Sequence, residues 1–169
     1  PAHLILALFV FVGPAAGVEW ISFEDSEYAL TEIGGNWLDC EAEAQALGAH
    51  LVALNDSTES EWILQEFGAD PYWIGLHEPE SDGHYAWSNG DTLSFAAWAP
   101  GQPDQLGADH DYVVISLFTA HIGLWHNTPV TGWPAGTPSI GIMERPRVNT
   151  SITVSDSPMQ ARLQHVPNP

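Results

Sequence analysis

The sequence predicts an α+β fold in which two helices are set among short strands, with one long irregular loop past the middle of the chain. Three observations predict it. Apolar residues recur at helical spacing behind capping residues in two stretches, between Asn36 and Gly48 and between Asp56 and Gly68. Short apolar runs bounded by turn residues, such as Tyr72-Trp-Ile-Gly-Leu76 and Tyr112 to Leu117, read as strands. From about Asp91 to Asp111 the periodicity dissolves into Gly, Pro, Ala and Asp, a length of loop that is usually functional or disordered, and Trp98 within it argues for order.

Taken in order, Val18 to Phe23 alternates apolar and polar residues and Tyr28-Ala-Leu30 repeats the hint, which predicts a first strand or strand pair. Asn36 can cap the first helix. Trp37, Cys40, Ala44 and Leu47 form its apolar stripe, Asp39 and Glu41 suit its first turn, and Gly48 stops it. Leu51 to Leu54 is an apolar link, after which Asp56 or Thr58 can start the second helix with Glu59 or Glu61 closing a capping box. Trp62, Ile63 and Phe67 give that helix a core face, and Glu59 and Glu66 read as its solvated face. Strands are expected at Tyr72 to Leu76, Tyr85 to Trp87, Tyr112 to Leu117, Gly123 to Asn127 and Ser139 to Met143, with a Pro- and Gly-rich excursion from Thr128 to Pro138.

Composition narrows the function classes. Against 22 Asp and Glu stand only 3 Lys and Arg, all near the C-terminus, so nucleic acid and anionic membrane are poor partners. The apolar run Leu4 to Val12, ending in Gly13-Pro-Ala-Ala-Gly17, reads as the core and exit of a secretory signal peptide, too short to span a bilayer comfortably. With no initiator Met or basic segment before it, the given sequence is expected to begin inside that signal. The expected organisation is therefore a signal-peptide-like segment at 1–17, one domain at 18–145 and a polar tail or linker at 146–169. A secreted, extracellular or periplasmic protein with no membrane insertion after signal removal follows. Cys40 is the only cysteine, so packing and not an intrachain disulfide must hold the fold.

One stretch carries chemistry. In Trp98-Ala-Pro-Gly-Gln-Pro-Asp104, a Gln and an Asp flank a proline, which places two side-chain oxygens on a rigid loop suited to a hard cation or a sugar diol. Together with Trp37, Gly48-Ala-His-Leu51, Trp73-Ile-Gly-Leu76, Trp87-Ser-Asn-Gly90, Leu124-Trp-His-Asn127 and Ile142-Met-Glu144, this ordered series resembles the C-type lectin-like domain from about Ser26 to Glu144. The resemblance implies an α+β C-type lectin-like fold with two helices, antiparallel sheets whose terminal strands meet, and a long loop region that carries ligands. It also implies that Gln102 and Asp104 contact both Ca²⁺ and the hydroxyls of a galactose-type sugar.

Departures from the family pattern qualify the metal. His110 stands where the family's loop usually has a Glu, and Trp125-His126-Asn127 replaces Trp-Asn-Asp. Of the matching positions Gln102, Asp104, His110, His126 and Asn127, only Asp104 is a carboxylate, so Ca²⁺ is expected to be weak or absent unless Asp109 or Asp111 enters the shell. The implied metal set is Gln102, Asp104, Asp111 and Asn127, with an auxiliary site at Glu78, Asp82 and Asp111. His110 and His126 with Asp104 or Asp111 offer Zn²⁺ ligands, but their spacing matches no zinc motif and ordinary hydrogen-bonded histidines explain them better. Ala44, Tyr112 and Met143 stand where the family's disulfides would be, as in cysteine-free bacterial members of the fold. The resulting expectation is a secreted, non-enzymatic carbohydrate-binding module, calcium-assisted and galactose-type. The alternative is a lectin-fold interaction or adhesion module, without calcium or sugar binding, that takes a surface ligand. No oligomeric state is specified by the sequence.

Overall fold

The structure is a computed structural model that describes residues 17–80, 82–104 and 109–148. The signal-peptide-like segment, apart from Gly17, and the tail beyond Val148 lie outside the described residues. Both helices start where capping chemistry places them. Asn36 Oδ1 accepts from the Asp39 N–H at 3.0 Å and Asp39 Oδ2 accepts from the Asn36 N–H at 3.3 Å, closing the box that begins α1, Trp37–Ala46. Asp56 Oδ1 accepts from the Glu59 N–H at 2.9 Å at the head of α2, Ser57–Phe67, which ends at Gly68 with φ 87°. Among the described residues no helix is long and apolar enough to cross a membrane.

Among the described residues eight strands form two antiparallel sheets. In the first, β1 (Ile21–Phe23) pairs with β2 (Ser26–Leu30), which pairs with β8 (Ile142–Pro146), and β3 (His50–Leu51) closes the far side of β8. The first hairpin, β1 and β2, thus meets the last strand β8 through β2, as the resemblance implies that terminal strands meet. In the second sheet the order is β5 (Ala86–Trp87), β4 (Tyr72–His77), β6 (Tyr112–Ile115) and β7 (Trp125–Thr128). The sheets meet closely at Gly75, whose N–H donates to Val52 O at 2.8 Å. A Cβ there would sit well inside van der Waals contact with the Leu51 carbonyl oxygen, so only glycine permits this approach.

Leu54, Ile63, Ile74, Leu76, Val113, Ile115, Trp125 and Ile142 pack into one buried cluster between helix and sheets. Trp37, Cys40, Leu51, Trp73 and Val114 form a second. Cys40 is fully buried, and burial pushes its thiol pKa up, which suits a small core residue and not a nucleophile.

Three expectations are corrected. The last strand runs on to Pro146, past Met143, because Glu27 and Arg145 face each other across β2 and β8 and Arg145 Nε reaches Glu27 Oε2 at 2.9 Å. Glu59 is not on a solvated face. It is 8% exposed, accepting from the Tyr28 hydroxyl at 2.7 Å and the Asn55 N–H at 2.8 Å. Glu41, read as a first-turn acid, is likewise buried, where it takes the Leu51 N–H at 2.8 Å, the Ser88 hydroxyl at 3.1 Å and His50 Nδ1 at 2.7 Å. These two carboxylates fasten α1 and α2 to the sheets.

Candidate functional site

The long loop is anchored by β7 before it is shaped. Trp125 N–H donates to Ala97 O at 2.8 Å and Ala99 N–H donates to Trp125 O at 3.0 Å, so the loop entry is bonded on both sides of Trp98. The Trp98 ring packs edge-on against Trp125 and Tyr85, with centroids at 5.7 and 5.0 Å. That burial explains the order that Trp98 suggests in a Gly- and Pro-rich stretch.

Beyond this anchor the chain turns through a cis Gln102–Pro103 peptide. Gln102 and Asp104 then converge on Asn127. The Asn127 backbone N–H donates to Gln102 Oε1 at 3.0 Å, and Asn127 Oδ1 accepts from the Asp104 N–H at 2.9 Å. Its Nδ2 donates to two carbonyls, Asp104 O at 2.8 Å and His110 O at 3.1 Å, while Gln102 Nε2 donates to Asp104 Oδ2 at 2.8 Å. One asparagine therefore ties both limbs of the loop to β7.

The histidines sit beside this knot. His110 Nδ1 lies 3.4 Å from Asp104 Oδ1, within ion-pair reach if protonated but not aligned as a hydrogen bond, so the buried ring nitrogen lacks a hydrogen-bond partner. His126, 5% exposed, meets His121 with Nε2 and Nδ1 3.0 Å apart and the rings stacked at 21°. Burial lowers its pKa, His121 lowers it further and Asp104 opposes both. The buried ring packs edge-on against Phe118 at 5.1 Å.

Gln102, Asp104, His110, His126 and Asn127 all line one cleft of about 380 Å³, completed by Leu117, Phe118 and Trp133. The structure thus brings the five expected ligand-binding residues together. It does not bring Asp111, Glu78 or Asp82 to that cleft's lining. Glu78 and Asp111 are linked through the backbone, where the Glu78 N–H donates to Asp111 O at 2.7 Å. The Glu78 carboxylate instead takes the Gly83 N–H, and Asp82 takes the His84 N–H at 3.0 Å, a bond that lowers the Asp82 pKa. Among the described residues no three His, Cys, Asp or Glu side chains are gathered as a metal-binding group.

Comparison with known proteins places this geometry. The profile of the Lectin C-type domain matches residues 34–129, more than half of the chain. The chain belongs to the C-type lectin domain family. Its relatives include the rat C-type mannose receptor 2, 31% identical over 111 residues, which are 62% of this chain and 8% of the receptor. Human C-type lectin domain family 10 member A is 34% identical over 94 residues, 54% of this chain and 29% of that protein. The chain thus spans a minor part of these relatives. Among solved structures, the cow CD23 carbohydrate-recognition domain superposes with a TM-score of 0.64 at 21% identity, covering 76% of this chain and 93% of that one. Herring type II antifreeze protein gives 0.66 at 20% identity, covering 76% and 96%, so the fold is shared well beyond one ligand class.

C-type lectin domains often use Ca²⁺, and the donor set here can be tested against it. The carboxamide oxygens of Gln102 and Asn127 already accept backbone N–H bonds within the knot, Asp104 Oδ2 accepts from Gln102, and the remaining matching side chains are imidazoles. A shell of about six to eight oxygens with several carboxylates is what the ion prefers. These residues fit it poorly. Sequence reasoning missed His121, which lies in a Thr-, Ala- and Gly-containing turn with no motif, and Phe118, whose spacing from the next strand carries no signal.

Proposed function

We propose that this lectin-like domain is a secreted, non-enzymatic carbohydrate-binding module that takes a galactose-type sugar in the cleft between Gln102, Asp104 and Trp133. The observation that carries the reading is the amphiphilic lining of that cleft, to which Asp104 and Gln102 bring a carboxylate and a carboxamide and Trp133, 60% exposed, and Phe118, 43% exposed, bring aromatic rings. A pyranose has the same division, with hydroxyls around its edge and C–H groups on its faces. Asp104 and Gln102 supply hydrogen-bond capacity for hydroxyls, and the aromatic rings supply apolar contact. Among the described residues that line the cleft Asp104 is the one carboxylate, which leaves little to hold Ca²⁺.

A glycan array run with and without chelator tests the reading. Binding to galactose-terminated glycans that falls by about tenfold or more in Asp104→Ala supports it. Silence toward every glycan, with and without added Ca²⁺, overturns it. The second reading, a lectin-fold surface that binds protein, is favoured by the exposed Phe118, Ile122 and Trp133.

A further inference from the structure

We infer that the cleft binds its sugar without a metal ion, with Asn127 doing mechanically what an ion would do and Trp133 acting as the platform for the apolar face of the pyranose. The inference rests on the carbohydrate-binding reading and deepens it. A cation at this place would have two tasks, to hold the loop limbs in register and to fix the sugar hydroxyls. Asn127 already performs the first. Its side chain and its backbone N–H reach Gln102, Asp104 and His110 through four hydrogen bonds of 2.8 to 3.1 Å, and Asn127 itself is buried on β7, which fixes the knot to a rigid element. Amide chemistry is specific for this role. Nδ2 donates to two carbonyls while Oδ1 accepts an N–H, and a carboxylate at the same position could only accept.

The second task falls to side chains that retain polar capacity. The Gln102 amide carries a second N–H beyond the one given to Asp104. Trp133 and Phe118 line the same cleft and give it an aromatic wall. A galactose-type ring suits that wall because its axial hydroxyl leaves three adjacent C–H bonds on one face, and an indole is the side chain best suited to cover them. Trp133 comes from the Pro- and Gly-rich excursion after β7, so platform and polar groups arrive from different loops.

Calorimetric titration of methyl β-galactoside, in chelator and in excess Ca²⁺, tests the inference. In the wild-type protein the affinity should differ by less than about twofold between the two conditions. Asn127→Asp should lose about tenfold or more in chelator and recover in Ca²⁺, because the new carboxylate loses two donated bonds and gains a cation ligand. Trp133→Ala, at an exposed position that leaves the core intact, should lose about tenfold or more in both conditions. Wild-type binding abolished by chelator overturns metal-free recognition, and binding unchanged in Trp133→Ala overturns the platform, each while leaving the sugar site standing. No titratable binding of any sugar in either condition removes the carbohydrate reading itself, and the inference with it.

Discussion

Replacing Trp125 with Ala is expected to cost about 3–5 kcal/mol of stability, the range for removing a fully buried large aromatic side chain. Trp125 is completely buried, and Trp87, Phe95 and Trp98 stand edge-on around it with centroids 5.5 to 5.7 Å away. Its removal would leave a cavity too closely walled by large rings to collapse. The effect should reach the loop as well, because the Trp98 ring would lose its support while the backbone bonds to Ala97 and Ala99 remain. Trp125→Phe should be much milder, since the indole N–H has no hydrogen-bond partner and its loss leaves nothing unsatisfied. Urea unfolding measures both variants, and amide exchange at Ala99 reads out the loop. A cost below about 1 kcal/mol for the alanine variant would mean that the aromatic cluster does not hold this face together.

The second large effect is on stability against pH. Burial pushes the Glu59 carboxyl from 4.5 up to about 7, with Glu144 and Asp56 adding to the rise and the Asn55 and Tyr28 bonds opposing it. Glu144 is itself shifted upward, chiefly by burial, and it lies 3.4 Å from the same Tyr28 hydroxyl that Glu59 holds. Folding therefore favours the protonated form of Glu59. Its contribution is fully present below about pH 4.5 and is lost as the pH rises through about 7, an effect on the order of 2–3 kcal/mol. His126 acts in the opposite sense, since its lowered pKa removes stability on acidification, so the wild-type curve is a composite.

Glu59→Gln isolates the carboxyl. The variant should exceed the wild type by about 2 kcal/mol near pH 8, and the difference should shrink on acidification and vanish below about pH 4. In the variant Tyr28 can turn its proton to Glu144, and the amide can still accept from Asn55. Denaturation midpoints measured across this range check the claim, and a destabilisation of equal size at every pH would contradict it.

Local chemistry was legible in the sequence, and long-range polar chemistry was not. Asn36 and Asp56 announce helix starts because a cap acts within three residues, and Tyr72 to Leu76 announces a strand because its burial is written in its own side chains. Glu41 and Glu59 look like solvated first-turn acids for the same reason. Their true partners, Ser88 for Glu41 and Tyr28 for Glu59, are 47 and 31 residues away. The site divides similarly. Gln102, Asp104, His110, His126 and Asn127 could be gathered by family pattern, and they do share one cleft. That Asn127 would knot the loop depends on the distance between two loop limbs and β7, which no spacing encodes. The His121–His126 contact was invisible for the same reason.

The pairing of the end strands has a mechanical consequence. β1 and β8 both run antiparallel to β2, and Ile21 stands opposite Tyr28 while Pro146 stands opposite Ser26. The chain therefore enters the sheet toward its Leu30 end and leaves it toward its Ser26 end. Tension between the two ends slides β1 and β8 in opposite directions along β2, so the ladder bonds carry the load together in shear instead of peeling one by one. Held between two points of attachment, the domain would resist extension along the one axis on which its own sheet is strongest.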